Sequence, residues 1–242
     1  MKILKHIPNT ITSMNVLCGV LGVIAAFNGN LPVAFYFMLA GAVCDFCDGL
    51  AARALKAYSP MGKELDSLAD LITFGLLPSI MLFQTMGTYY PGQWYCYLPL
   101  IIVVFSALRL AKFNVDERQS ENFIGLATPA CAMICGSFAT IAQLQSADYT
   151  ALLTENPWII PVGACILAGL LVSEIPMFSM KVKKGSSYNK IRLLFIIFVA
   201  AIAATALILN INWAYIILVT FTCYILMNIV KSITSSRIFK GD

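Results

Sequence analysis

Apolar residues fill this chain in long unbroken runs, and the polar residues fall almost entirely between them. The runs cover about 13–28, 31–54, 64–86, 95–113, 125–145, 157–177, 191–209 and 213–231, each close to the ~20 residues that a helix needs to cross the hydrocarbon of a bilayer. Turn-forming residues mark alternate junctions: Asn28-Gly29-Asn30, Pro91-Gly92, Glu155-Asn156-Pro157 and Asn210-Ile211-Asn212. The pattern predicts an all-α, polytopic membrane helical bundle of about eight transmembrane helices. No soluble domain, low-complexity linker or internal repeat interrupts it.

Charge gives the bundle an orientation. With the N-terminus in the cytosol, every Lys and Arg falls on that side. Arg53, Lys56 and Lys63 join the second and third runs, and Arg109, Lys112 and Arg118 the fourth and fifth. Lys181, Lys183, Lys184, Lys190 and Arg192 join the sixth and seventh, Lys2 and Lys5 precede the first, and Lys231, Arg237 and Lys240 follow the last. The opposite junctions carry only Asp148 and Glu155 as charges. This is a positive-inside pattern, with both termini cytosolic. Small residues form no clean cleavage site after the first run, so that run is expected to remain as a helix.

Composition agrees with a membrane chain. Its 242 residues are 60% hydrophobic and 12% charged, with a mean hydropathy of +0.82, which excludes a soluble α/β domain of the same length. Among the 8 cysteines, Cys44-x2-Cys47 has a zinc-like spacing but no second pair to close a tetrahedral site. The cysteines therefore read as small apolar residues. His6 carries no evident chemistry.

Against this background the stretch from Asp45 to Asp70 is exceptional, because ionised carboxylates in apolar surroundings must be paired, bound to cations or kept near water. Asp45 and Asp48 are spaced i,i+3, and Asp66 and Asp70 are spaced i,i+4, so each pair shares one face of a helix. Two such helices facing each other would bring four hard oxygen donors to one point, as a divalent-cation site requires. Gly49 and Ala52 leave room beside the first pair, and Arg53 adds a fixed charge with phosphate-matching geometry. Upstream, Pro8-Asn9-Thr10-Ile11-Thr12-Ser13 reads as a helix start with capping side chains. Lys2 to Ile7 reads as a short interfacial helix. Tyr58-Ser59-Pro60 is a turn signal.

The spacing D-x2-D-G-x2-A-R-x8-G-x3-D-x3-D resembles the signature of the CDP-alcohol phosphotransferase family. Its defining positions are all present, as Asp45, Asp48, Gly49, Ala52, Arg53, Gly62, Asp66 and Asp70. The resemblance implies that Asp45, Asp48 and Asp66 bind a pair of divalent ions, commonly Mg2+ or Mn2+. Asp70 would complete the metal cluster and act as the general base. It implies contacts to the CDP moiety from Gly49, Ala52 and Arg53, from Asn9 and Thr12 in a P-N-x-x-T segment, and from Ser59 near the phosphates. Further on, Arg109-Leu-Ala-Lys-Phe-Asn114, Phe123-Ile-Gly-Leu-Ala-Thr-Pro-Ala130 and Val172-Ser-Glu-Ile-Pro176 are similar to stretches of the family's serine-using branch. Ala127 stands where that branch usually has proline.

The implied reaction is transfer of a phosphatidyl group from CDP-diacylglycerol to the hydroxyl of L-serine, with release of CMP. Glycerol 3-phosphate or an inositol compound is the alternative acceptor. The resemblance covers roughly residues 1–180 as a six-helix catalytic core, leaving 181–242 as a basic cytosolic loop and a C-terminal transmembrane hairpin. It implies an integral inner-membrane protein with its active site facing the cytosol, membrane lipid around it, a homodimer and no nucleic-acid partner. Arg109, Lys112, Asn114 and Arg118 offer charge and hydrogen bonds to an amino-acid or phosphorylated acceptor, though topology alone accounts for Lys112 and Arg118. Glu174 has no assigned role. The rival class, an ion or metabolite transporter, would place its acids near the bilayer midplane on broken helices rather than at one end.

Overall fold

The computed structural model describes residues 6–116, 123–144, 153–177, 205 and 212–238. Helix α1 spans Ile7–Phe27 and α2 spans Leu31–Ala54. Between them Gly29 adopts φ +73°, a left-handed turn conformation that suits glycine. The Asn30 side chain then caps α2 by accepting from the Val33 N–H at 3.2 Å. Helix α3 covers Pro60–Asp70 and runs without a break through a π-helical stretch, Leu71–Leu76, into α4, Leu77–Tyr89. Pro78, two residues past the end of this stretch, has no N–H to offer the Phe74 carbonyl.

A 3-10 segment, Trp94–Leu100, leads into α5, Ile101–Val115. Helix α6 is Thr128–Leu144, α7 is Ile159–Val172 and α8 is Trp213–Ile238. Two short strands, β1 (Phe123–Ile124) and β2 (Pro176–Met177), pair antiparallel with Phe123 opposite Met177. They tie the start of α6 to the end of α7.

Among the described residues, five helical stretches are long and apolar enough to cross a membrane: Ile7–Phe27, Leu31–Ala54, Pro60–Tyr89, Trp94–Val115 and Trp213–Val230. Their outer faces carry large exposed apolar side chains such as Leu17, Val43, Phe46 and Val104. The interior is packed by Phe35, Met38, Phe74, Leu77 and Met81, all fully buried. Lipid is as apolar as these side chains, so close approach of helices contributes more here than removal of apolar surface from water. A Cβ on Gly19 would lie 2.5 Å from Thr73 Oγ1, and one on Gly136 would lie 2.6 Å from Phe35 Cδ2. Glycine at these positions lets α1 meet the π-helical stretch and α6 meet α2.

The expected elements shift in specific ways. The first helix begins at Ile7, not near 13, because Pro8 occupies its first turn, where a missing N–H costs nothing. The third begins at Pro60 rather than 64 because Ser59 caps it. The expected spans 125–145 and 157–177 shorten to Thr128–Leu144 and Ile159–Val172. Gly125 takes φ +79° under the carbonyls of Leu171 and Ser173, and the chain before Pro176 turns extended to form β2. The expected run 191–209 lies outside the described residues apart from Thr205. So do Lys2 to Lys5, Arg118 and the basic loop.

Candidate active site

The acids converge because the C-terminal halves of α2 and α3 both pack against α1. One carboxylate oxygen from each of Asp45, Asp48 and Asp66 lies within 4.8 Å of the others. Asp48 is only 6% exposed and accepts a hydrogen bond from the Thr12 hydroxyl at 2.6 Å. The same hydroxyl lies 3.0 Å from the Pro8 carbonyl of its own helix. Asp70, one turn beyond Asp66, stands just outside the three-oxygen group. It is within electrostatic reach of Asp45, Asp66 and Arg109. Asp66 Oδ1 and Asp70 Oδ1 are buried with no hydrogen-bond partner among the described residues. Orphaned acceptors of this kind are expensive, which makes them candidate ligands for a cation.

Beside the acids lies an open cleft of about 220 Å³. Helix α1 contributes Pro8, Asn9 and Thr12 to its wall, and α2 contributes Asp48, Gly49 and Ala52. Tyr58, Ser59, Gly62, Lys63 and Asp66 close it from the loop and from α3. A side chain on Gly49 would enter empty space, since nothing lies within 4 Å of its Cβ position. Gly62 has the opposite reason to be small: its Cβ would come within 3.0 Å of Asn9 Oδ1 and 3.1 Å of Ser59 Oγ. Ser59 Oγ accepts from the Gly62 N–H at 3.0 Å, which caps α3 and leaves the hydroxyl proton free to donate.

Of the residues singled out in the sequence, the structure therefore gathers Asp45, Asp48 and Asp66 at one point. Asn9, Thr12, Gly49, Ala52 and Ser59 border the adjoining cleft. Arg53 is not among its lining residues: the side chain is exposed and its Nε donates to the Gly49 carbonyl at 2.9 Å. Lys112 pairs with Glu174 at 3.7 Å, which gives Glu174 a partner. Asn114 is not free for an acceptor, because its amide donates to Ser67 Oγ at 2.9 Å and fastens the end of α5 to α3.

Two features went unread in the sequence. Lys63 lines the cleft while its Nζ donates to the Asn114 carbonyl at 3.0 Å, and Tyr58 lies across the same opening. Arg109 is only 8% exposed, donates from Nη1 to Thr128 Oγ1 at 2.8 Å and covers the Phe113 ring at 5.5 Å. Arg109 was already a candidate acceptor contact in the sequence, and its burial and its bond to Thr128 are what the structure adds.

Known proteins place this arrangement. The sequence profile of the CDP-alcohol phosphatidyltransferase family matches residues 5–170. The chain belongs to this family, and it is an integral membrane protein. Over 174 residues it is 36% identical to the CDP-diacylglycerol–serine O-phosphatidyltransferase of Bacillus subtilis (strain 168), covering 71% of this chain and 89% of that protein. It is 30% identical over 233 residues to the protein of the same name from Mycobacterium leprae (strain TN), covering 92% and 74% respectively. The archaetidylserine synthase of Methanothermobacter thermautotrophicus is 30% identical over 138 residues, or 54% of this chain and 57% of that one.

Proposed function

We propose that this chain transfers the phosphatidyl group of CDP-diacylglycerol to the hydroxyl of L-serine, giving phosphatidylserine and CMP. The observation that carries the reading is the meeting of three carboxylate oxygens, from Asp45, Asp48 and Asp66, beside a cleft shaped by small residues. The names of the matched relatives support the choice of acceptor. Hard carboxylate oxygens suit Mg2+ or Mn2+, and the orphaned oxygens of Asp66 and Asp70 fit a pair of such ions held by Asp45, Asp48, Asp66 and Asp70. Once bound, divalent ions neutralise pyrophosphate oxygens and favour departure of CMP.

The side chains do the rest. The CDP moiety enters over Gly49 and Ala52, where no side chain blocks it. Asn9 and Ser59 offer hydrogen bonds to it, and Thr12 fixes the Asp48 carboxylate. Arg53 turns from its own helix toward the phosphates. Asp70 takes the proton of the serine hydroxyl. The oxygen so released bonds to the phosphorus that bears diacylglycerol, and the bond from that phosphorus to the CMP oxygen breaks, its electron pair leaving with CMP. Arg109, within reach of Asp70, receives the serine carboxylate.

In this reading the acids face the cytosol from an inner-membrane bundle of about eight helices, both termini on the cytosolic side, and the protein works as a homodimer. The basic residues at the acid-bearing end support that orientation. Lipid tails then stay in the bilayer while the head group meets water-soluble serine. The test is CMP release by the purified protein in lipid nanodiscs supplied with CDP-diacylglycerol and Mn2+ or Mg2+. Release is expected with L-serine. Release with glycerol 3-phosphate or an inositol acceptor but not serine would overturn the acceptor, and no release with any of them would overturn the reaction.

A further inference from the structure

The cleft beside the acids has an unbalanced wall. Asp48 and Asp66 both line it, and among the described residues its one cationic side chain is Lys63. Arg53 is outside the lining and must leave the Gly49 carbonyl before it can reach a phosphate. Lys63 needs no such move. It occupies one of the three unspecified positions between Gly62 and Asp66 in the spacing that marked the site.

Helical register sets Lys63 in line with the acids. Ser59, Lys63, Asp66 and Asp70 follow one another at intervals of four, three and four residues, so they form a single stripe along α3. The stripe begins at the capped N-terminal turn, where the helix dipole favours an anion, and runs into the acid cluster.

The ammonium is held without being used up. Lys63 Nζ donates to the Asn114 carbonyl at 3.0 Å, and Asn114 Nδ2 donates to Ser67 Oγ at 2.9 Å. Ser67 Oγ donates in turn to the Lys63 carbonyl at 3.2 Å, which closes a ring between α3 and the end of α5. The Glu64 carboxylate lies 3.5 Å from the same Asn114 amide, and Lys63 forms no ion pair among the described residues. An ammonium has three N–H donors, so two stay available after the bond to Asn114. A free surface lysine loses rotamer freedom when it takes up an anion, and the ring has already restricted this one.

We propose that Lys63 is a substrate-binding residue whose ammonium, steadied by Asn114, donates to the pyrophosphate oxygens of the CDP moiety. This rests on the reading above, in which that moiety occupies the cleft. The carboxylates act on the phosphates through cations, whereas Lys63 supplies a positive charge that needs no metal.

The experiment uses the full-length protein in nanodiscs and compares Lys63→Met, Lys63→Gln and Lys63→Arg with wild type. CDP is titrated in the presence of Mn2+, and its Kd is read from the rise in melting temperature. CMP release is followed against CDP-diacylglycerol at saturating serine, and against serine at saturating CDP-diacylglycerol. Lys63→Met and Lys63→Gln should weaken CDP about tenfold and raise the KM for CDP-diacylglycerol by a similar factor, the effect of losing one hydrogen bond between charged groups. The KM for serine should stay within about twofold. Glutamine keeps a donor for the Asn114 carbonyl, so that variant separates the lost charge from a loosened α5. Lys63→Arg keeps charge and donors and should recover most of the loss. Unchanged CDP binding in the Met and Gln variants, or equal rises in KM for both substrates, would overturn the inference and leave Lys63 as a fastening for α5. A wild type that gains no heat stability from CDP with Mn2+ would overturn the reading of the cleft, and the inference with it.

Discussion

The two ends of the bundle both carry polar side chains, but they use them differently. At the end opposite the acids, a pocket of about 320 Å³ is bordered by Gln84, Thr85, Thr88, Tyr89 and Gln143. Each of these closes a hydrogen bond to backbone. Gln143 accepts from the Leu31 N–H at 2.7 Å and donates to the Gly29 carbonyl at 2.6 Å, and Gln84 donates to Ala26 at 3.1 Å. Tyr89 reaches the Ala142 carbonyl at 3.0 Å. At the acid-bearing end, by contrast, Asp66, Asp70 and Arg109 each keep a buried polar atom that has no hydrogen-bond partner among the described residues. The larger cavity thus belongs to the end where the polar groups serve the fold. The smaller one belongs to the end where they stay available to something else. Unsatisfied polar groups locate the chemistry here better than cavity size does.

Substitutions at the two ends should separate these uses. The largest effect is expected from Asp66→Asn, which should lower CMP release by at least about a hundredfold and abolish its dependence on Mn2+ together. Turnover that persists with its metal dependence intact would remove Asp66 from the metal site. Asp70→Asn should lose as much turnover while still being protected from heat unfolding by Mn2+ plus a CDP compound, which a thermal melt would show. Equal loss of both would make Asp70 a ligand only.

A middle effect is expected at the opposite end. Gln143→Leu leaves the Leu31 N–H and the Gly29 carbonyl without their partner and should cost about 1–3 kcal/mol of stability. KM for both substrates should remain at the wild-type values. A changed KM would mean that the two ends are coupled. The smallest effect concerns Lys56, which ends α2 at φ 49° in the left-handed region. Lys56→Gly should raise stability by about 0.5–1 kcal/mol, measured as a higher melting temperature, because glycine adopts that conformation without strain. A lower melting temperature would show that the lysine side chain contributes more than its backbone costs.

Much of this division was legible in the letters. The span expected at 31–54 coincides with α2, since Asn30 and Pro32 mark its start and the apolar run has no competing break. Helical spacing put Asp45 with Asp48, and Asp66 with Asp70, on shared faces, while the meeting of the two helices came from the family resemblance. Other features depended on tertiary contact, which spacing does not encode. Asn114 looked available for a ligand until Ser67 on another helix took its amide. Arg53 looked committed to the cleft, yet the Gly49 carbonyl one turn back is nearer. The π-helical stretch left no mark in a run that is apolar on every side.

That stretch has a mechanical consequence. Leu71–Leu76 follows directly on Asp70, within an otherwise unbroken rod from Pro60 to Tyr89. A wide turn takes up about one extra residue, and one residue rotates a helix by ~100°. The face that aims Asp66 and Asp70 is therefore geared independently of the face that α4 presents to its neighbours. Removing a single residue between 71 and 76 would leave a continuous helix of ordinary pitch and swing both carboxylates a quarter-turn off target. The spacing of the acids would be untouched, and only their bearing would change.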